Sequence, residues 1–295
     1  GVQPKEYLAK YAAERVRAVG GAWLGLTTGC CECHDHKFDP LSMKDFYRLE
    51  AFFADIQEQG LYSGSNFGTS LVVATPDQQR QLAELDATAK VKEKQAAGLK
   101  LVAGVTVSTP ADKSAKDAKA AHDTLKAGLP STLITVAVPP RQIRVLTRGN
   151  WMDDSGEVVE PGMPAVLPQP VKKDRRLTRL DLAEWLVSKD HPLTARVLAN
   201  RLWKQYFGAG LARKMDDLGS QGEPPTHPDL LDTLAYDLRE TWDIKRFVKT
   251  LVMSQTYRRS SVATAEQKEK DTPTTKRIFR YSLHTDQSAL RPHEY

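Results

Sequence analysis

The sequence predicts a mainly α-helical protein with one small β-rich segment. Near both ends of the chain, apolar residues recur at the spacing of amphipathic helices. Between these parts, residues 77–100 and 111–126 consist largely of Ala, Lys, Asp, Glu and Gln, a texture typical of solvent-exposed helices. Residues 132–149, in contrast, are rich in β-branched residues, which favour strands.

Composition limits the class of protein. With 40% hydrophobic and 27% charged residues, the 295-residue chain resembles soluble globular proteins of about two domains. The net charge of +5 is spread along the chain, so we expect no binding to nucleic acid. No apolar run approaches the roughly 18 residues of a transmembrane helix, and we predict no membrane-spanning segment. Because the chain begins without Met, we expect a fragment or processed product whose targeting segment lies upstream.

The N-terminal part is predicted to contain two helices around a cysteine cluster. The first runs from Lys5 to about Val19 and is broken by the glycine pair 20–21. After the cluster, the Asp-Pro pair 39–40 makes a turn, and Ser42 caps a second helix that extends through Phe53.

The middle of the chain changes character twice. Residues 56–75 are predicted to be loop with a short strand at 71–74, and the two charged runs are predicted to form a helical hairpin or short antiparallel coiled coil. Residues 132–138 and 142–149 are then predicted to be strands that pair with each other. The Gly-, Pro- and Asp-rich stretch that follows indicates an irregular connector.

The C-terminal part, from about Arg176, is predicted to be all-helical. Four segments carry helical patterns: 179–188, 191–208, 229–240 and 242–261. Pro192 suits a first turn and Gly208 a C-terminal cap. Asp216, Ser220 and His227 are interpreted as caps and turns, so no catalytic nucleophile–base pair is recognised.

Residues 30–36, CCECHDH, contain every cysteine of the chain. Within them Cys30, Cys33 and His34 satisfy C-x-x-C-H, the pattern of covalent haem c attachment. Cysteines three residues apart lie on one side of a helical turn, so both thiols can reach the two vinyl groups on one porphyrin edge. The imidazole of the next residue can then bind the iron as the proximal ligand.

Zinc is the competing cofactor. Potential ligands exceed the four that tetrahedral zinc requires: Cys30, Cys31, Cys33, His34 and His36. Structural zinc sites usually combine two separated ligand pairs, however, and no second Cys/His pair follows. An iron–sulfur cluster normally needs four thiolates and is disfavoured. Haem, zinc and no metal all remain open on the residues alone.

A distal iron ligand is not identified. Met43 is a weak candidate, because it reaches the distal face only if the turn at 39–40 brings it there. His36 is too close to His34 to reach the opposite face of the same ring. His36 is therefore expected either to bind a second metal or to hydrogen-bond Asp35 or Asp39.

Two stretches carry a family resemblance. GLTTGCCECHDHKFDPLSMKDFYRLEAFF, residues 25–53, resembles the cytochrome-c-like (PSCyt-type) domain of large secreted planctomycete proteins. Residues 145–168 and 179–235 resemble the helical domain of unknown function (PSD-type) that follows it in those proteins. The resemblance implies this organisation: the C-terminal part of a cytochrome-c-like domain (1–75), a helical hairpin insertion (76–128), a β-rich connector (129–172) and a helical PSD-type domain (173–295).

The resemblance also implies a role outside the cytoplasm. Cys30 and Cys33 would be the thioether anchors and His34 the proximal ligand of a haem in a single-electron transfer or redox domain. This domain would interact with a redox partner protein or another extracytoplasmic protein. The alternative is a zinc-binding or metal-free structural or interaction protein of the cell surface. The sequence departs from the family pattern at Cys31, an extra thiol that could mis-attach, and in the tail after about Arg280.

Overall fold

A computed structural model describes residues 3–58, 61, 68–103, 110–171 and 174–259 of the chain. Of the described residues, 53% are helical and 6% lie in strands, which confirms the mainly α fold class with a small β part. The chain divides into two compact units. The first combines the described residues up to Asp55 with those from Pro139 onward, and the second is Ile56–Val138.

The described ranges contain eight α-helices and four short strands. The helices are α1 Pro4–Val19, α2 Met43–Glu50, α3 Pro76–Ala103, α4 Pro110–Ala127, α5 Arg179–Leu186, α6 Thr194–Phe207, α7 Pro228–Thr241 and α8 Ile244–Met253. The strands are β1 Thr69–Val72, β2 Ser131–Ile134, β3 Ile143–Arg144 and β4 Val158–Val159. None of the described helices is long and apolar enough to cross a membrane.

In the N-terminal part the predicted cap at Ser42 is confirmed, whereas the glycine pair 20–21 changes the helix type and does not break the helical path. α1 begins at a proline, whose missing N–H is not needed in a first turn, and it passes into a wide π turn at Gly20–Leu24. α2 is held by a capping box in which Ser42 and Asp45 satisfy each other's backbone N–H groups. α2 ends at Glu50, and a short 3₁₀ turn, Ala51–Phe53, completes the predicted segment.

The first unit has two apolar cores. One is built from the N-terminal segment together with the connector and α5, including Phe46, Phe52, Met163 and Trp185. The other lies among α6, α7 and α8 and includes Phe207, Leu238 and Phe247. The connector that the sequence presents as irregular therefore contributes buried side chains to the same core as the cysteine-containing segment.

The C-terminal helices differ from prediction at their ends. Gly208 adopts φ +83° and its N–H donates to the Lys204 carbonyl, as expected of a C-terminal cap. Pro192 lies outside α6, which begins two residues later. The last described helix begins after Asp243, whose side chain caps it, and ends at Met253 rather than near residue 261. The departure from the family pattern expected after about Arg280 lies outside the described residues.

The second unit is the predicted helical hairpin with a two-stranded sheet. α3 and α4 pack along each other, and their connection around Gly104 falls outside the described residues. β1 pairs antiparallel with β2, with Ser70 opposite Leu133. A strand near residues 71–74 is thus confirmed, displaced by two residues.

The predicted pairing of residues 132–138 with 142–149 is wrong. β2 pairs with β1 inside the second unit, whereas β3 pairs with β4, Ile143 opposite Val159, inside the first. Pro139 and Pro140 stand between the two stretches, and consecutive prolines keep the backbone extended rather than turning it back. Each strand therefore finds its partner in a segment that the sequence presents as loop or connector.

Candidate functional site

The cysteine cluster lies on a single tight turn. Residues Gly29–Glu32 form a 3₁₀ helix, and the N–H groups of Cys33 and His34 both donate to the Cys30 carbonyl, at 3.2 and 3.3 Å. A 3₁₀ turn repeats every three residues, so positions i and i+3 project from the same side. The turn therefore presents Cys30 and Cys33 together.

The three thiols differ sharply in exposure. Cys30 and Cys33 are exposed free thiols, whereas Cys31 is buried, with 1% of its surface accessible. The Cys31 thiol lies 3.6 Å from the Leu41 carbonyl, and burial raises its pKa to about 11. Because the thiolate is the reactive form of cysteine, Cys31 is both shielded and chemically quiet. The extra thiol that breaks the family pattern points into the core.

Two side chains hold the turn in place from outside it. The Tyr47 hydroxyl donates to the Glu32 carbonyl at 2.8 Å, and Arg17 forms an ion pair with the Glu32 carboxylate. Burial raises the pKa of Tyr47 well above its usual value, so this hydroxyl stays a donor over the ordinary pH range. α1 and α2 thus fix the residue between the two exposed cysteines.

The connector closes against Cys33. Gly149 adopts φ +69°, a left-handed conformation that glycine adopts without strain. A Cβ atom at this position would lie 3.0 Å from the Cys33 sulfur and 3.6 Å from the Glu32 carbonyl. Sequence reasoning missed this neighbour, although the Arg-Gly-Asn turn that contains it is visible in the sequence.

His34 is exposed and has a defined hydrogen bond. Its Nδ1 lies 2.7 Å from the carbonyl oxygen of Asp35. A carbonyl only accepts, so in the neutral imidazole Nδ1 carries the proton and Nε2 carries the free lone pair. Metal-binding histidines commonly have this arrangement, in which the other ring N–H donates to a carbonyl or carboxylate.

His36 organises the loop instead of facing solvent. The Nδ1 atom of its ring accepts a hydrogen bond from the Asp39 backbone N–H at 2.9 Å. The backbone N–H of His36 donates to the Leu41 carbonyl at 2.8 Å. The ring lies 3.4 Å from an Asp39 carboxylate oxygen. His36 therefore lies beside Asp39, but the hydrogen bond that its ring makes is with the Asp39 backbone N–H and not with the expected carboxylate. Its role as a ligand of a second metal stays a prediction.

Met43 and Asp35 occupy the start of α2. The Asp35 carboxylate accepts the Met43 N–H at 2.7 Å, a favourable charge at a helix N-terminus. The Met43 side chain is partly buried and packs against the first core. Its role as a distal iron ligand stays a prediction.

The five side chains considered for zinc do not converge. Cys30, Cys33 and His34 are exposed, whereas Cys31 and His36 are buried in contacts with Leu41 and Asp39. Throughout the part of the chain that the structure describes, no group of three or more His, Cys, Asp or Glu side chains is placed to hold a metal ion.

The loop that carries the motif is also joined to the C-terminal helical region. Asp39, 6% exposed, accepts the Ser220 N–H at 2.7 Å through Oδ1, and the Ser220 hydroxyl donates to the Phe38 carbonyl at 3.3 Å. Nearby, the Leu218 N–H donates to the Gly25 carbonyl at 2.6 Å. Ser220 therefore connects the motif loop to the C-terminal helical region. This structural role is consistent with its interpretation as a turn residue and not a nucleophile.

Comparison with protein families finds two matches. The PSCyt2 model, a protein of unknown function (DUF1549), matches residues 1–58, and the PSD1 model, a protein of unknown function (DUF1553), matches residues 178–285. The resemblance to PSCyt and PSD domain types is confirmed. No curated protein and no solved structure matches the chain.

The two matched segments contact each other through the hydrogen bonds between Asp39 and Ser220 and between Gly25 and Leu218, which we call the joint. Asp39 and Gly25 lie in the PSCyt2 match, and Ser220 and Leu218 lie in the PSD1 match. Arg201 of the PSD1 match also donates to the Gly21 carbonyl at 2.8 Å. Except for residues 56–58, which belong to the second unit, the described parts of both matches lie in the first unit, and the helical hairpin unit follows the first match and precedes the second in sequence.

Proposed function

We propose that this chain is an extracytoplasmic c-type haem protein with a single-electron transfer or redox role. Cys30 and Cys33 would attach one haem covalently, and His34 would bind its iron. The observation that carries the proposal is the difference in solvent exposure among the residues of the cysteine cluster. Both motif cysteines and the motif histidine reach solvent, while the extra cysteine is buried.

The residues present fit such a group. Attachment adds each S–H across a vinyl double bond, forming one C–S and one C–H bond, so nothing leaves and no oxidant is consumed. This chemistry requires two reduced thiols close together, and the proposal is supported by two exposed free cysteines three residues apart at one 3₁₀ turn. Zinc would need about four converging ligands, whereas haem needs only one axial ligand from this turn.

The surrounding residues would prepare the site. Haem, when bound, supplies a one-electron couple whose potential the protein adjusts. The hydrogen bond from His34 Nδ1 to the Asp35 carbonyl would hold the imidazole with Nε2 available. Tyr47 and Arg17 would fix Glu32, so that the two thiols keep their spacing.

The cellular setting follows from the same chemistry. Covalent haem attachment takes place outside the cytoplasm, and the resemblance to secreted planctomycete domains supports the same compartment. A redox partner protein would exchange electrons with the haem.

The test is production of the chain together with a cytochrome c maturation system. We expect a red protein whose Soret band survives acid–acetone extraction and whose pyridine haemochrome spectrum reports thioether-linked haem. Cys31→Ser is the matched control and should keep full haem content, whereas Cys33→Ser should lose at least one thioether link and shift the spectrum. A colourless wild-type protein, with stoichiometric zinc or with no metal, would overturn the proposal.

The joint favours one alternative, a metal-free structural protein. The His36, Asp39 and Ser220 contacts close the motif loop without any metal. This alternative predicts a colourless protein whose thermal stability is unchanged by EDTA, whereas a zinc-dependent fold would lose stability.

A further inference from the structure

A cleft of about 480 Å³ opens in the first unit, apart from the cysteine turn. It lies among α1, the end of α2 and the strand and turn that follow Pro140. Its walls include Lys5, Leu8, Glu50, Arg141, Arg144 and Trp151. This volume is in the usual range of small-molecule sites.

Glu50 is the buried ionisable residue in the wall of the cleft. This last residue of α2 is 5% exposed, yet it lines the cleft. Its carboxyl group lies near the charge of Arg141, which lines the same cleft. Burying a carboxyl group is costly unless it gains hydrogen bonds. A ligand in the cleft would offer Glu50 a hydrogen-bond partner.

The protonation state of Glu50 indicates what that partner offers. Burial raises the pKa of Glu50 to about 8, which the nearby Arg141 opposes and Glu32 reinforces. At neutral pH the group is mostly the uncharged acid, which can donate a hydrogen bond. Short O–H···O⁻ bonds to a carboxylate are among the strongest that such a donor makes.

The charges around the cleft select the sign of the ligand. Lys5, Arg141 and Arg144 line it, against one exposed carboxylate, Asp154, which pairs with Lys5 at 2.8 Å. Arg144 is held by the Gly156 carbonyl at 2.9 Å and by the Gln142 side chain at 3.0 Å. This excess of positive charge opposes a cation and favours an anion of low charge.

The apolar part of the wall indicates an organic body. Leu8, Leu146 and Trp151 line the cleft beside the charged groups. An indole and two leucine side chains provide no polar contacts for a hydrated inorganic ion, whereas they can pack against the apolar body of an organic acid.

We propose that this cleft binds the carboxylate of a small organic acid, which accepts hydrogen bonds from Arg141 and Glu50 while its apolar body packs against Trp151. Two sources share this chemistry. One is a free monocarboxylate. The other is a propionate of the haem proposed at Cys33, because Gly149 beside that thiol is two residues from Trp151. The first source is independent of the proposed function, and only the second rests on it.

The first experiment uses the haem-free chain and a pair of isosteric probes. We expect 4-fluorobenzoate, titrated by ¹⁹F NMR at pH 7, to bind at least ten-fold more tightly than neutral 4-fluorobenzamide. Arg141→Gln should weaken benzoate binding at least ten-fold and leave benzamide binding unchanged. Arg196→Gln, which removes a guanidinium paired with Asp232 on α7, is the matched control and should change neither.

Two results would overturn the carboxylate site. One is equal binding of the two probes by the wild-type chain, a comparison that does not depend on the folding of any variant. The other is displacement of the fluorobenzoate by inorganic phosphate at lower concentration than by unlabelled benzoate.

The second experiment repeats the titration on haem-loaded protein and separates the two sources. Retained benzoate binding supports a free organic acid, and lost binding supports a haem propionate as the occupant. If the chain takes up no haem, the proposed function fails while the first titration still decides the carboxylate site.

Discussion

Asp39 accepts the backbone N–H of Ser220 at 2.7 Å, across 181 residues of sequence. The contact joins the segment matched by PSCyt2 to the segment matched by PSD1. Gly219 leaves the carboxylate room, since a Cβ there would lie 2.6 Å from Asp39 Oδ2. The acidic residue of the cysteine-motif loop therefore helps to assemble two family segments into one folded unit.

Removing this carboxylate should destabilise the first unit. We expect Asp39→Ala to lower the free energy of unfolding by about 1–3 kcal/mol, because it removes a partly buried hydrogen bond from the Ser220 N–H to a charged carboxylate. Asp39→Asn keeps one acceptor oxygen and should cost less. Urea denaturation followed by tryptophan fluorescence measures both, with the exposed Asp154→Ala as control. An Asp39→Ala variant as stable as the control would contradict a stabilising role for the joint.

Local signals were readable from the sequence, and long-range contacts were not. Ser42 and Asp45 stand three residues apart, so their capping box is visible as a pattern. Cys30 and Cys33 are likewise related by one turn. Asp39 and Ser220, by contrast, meet only in the packed tertiary structure, and no spacing rule connects them. The wrong strand pairing has the same origin, since β3 pairs with β4 in a stretch dense in glycine and proline.

The reactivity of the three thiols gives a second prediction. Burial raises the Cys31 pKa from 9.0 to about 11, so its thiolate fraction at pH 8 should be roughly 100-fold below that of an ordinary thiol. We expect Cys31→Ser to be alkylated rapidly by iodoacetamide at two positions. The double variant Cys30→Ser/Cys33→Ser should react slowly until urea unfolds it, as intact mass would show. Rapid native labelling of that double variant would refute the burial of Cys31.

The close approach of Gly149 to Cys33 gives a third prediction. Gly149→Ala forces an alanine into φ +69° and brings a methyl group to 3.0 Å from the thiol. We expect a loss of about 1–2 kcal/mol from the backbone conformation alone, together with slower alkylation of Cys33. Gly98→Ala is the matched control, because open space surrounds Gly98 in the exposed helix α3. It should raise stability by about 0.5–1 kcal/mol, the opposite sign, in thermal unfolding followed by circular dichroism.

The pH dependence of stability should reveal Glu50. Its pKa is raised from 4.5 to about 8 by burial, so the folded state holds a proton that the unfolded chain releases. The resulting stabilisation is complete below about pH 4.5, falls as pH rises toward 8, and is absent above that. The charged groups that line the same cleft are Lys5, Arg141, Arg144 and Asp154.

Glu50→Gln isolates this effect, because glutamine keeps the shape and cannot titrate. Relative to the variant, the wild type should lose up to roughly 1.4 kcal/mol of stability per pH unit between pH 5 and 8. Urea denaturation at half-unit intervals of pH measures the difference. Glu157→Gln removes an exposed carboxylate paired with Lys44. Its free energy of unfolding should vary with pH in the same way as that of the wild type. If that of Glu50→Gln also varies in this way, the carboxyl group is already ionised in the folded protein and cannot donate a hydrogen bond to a ligand carboxylate.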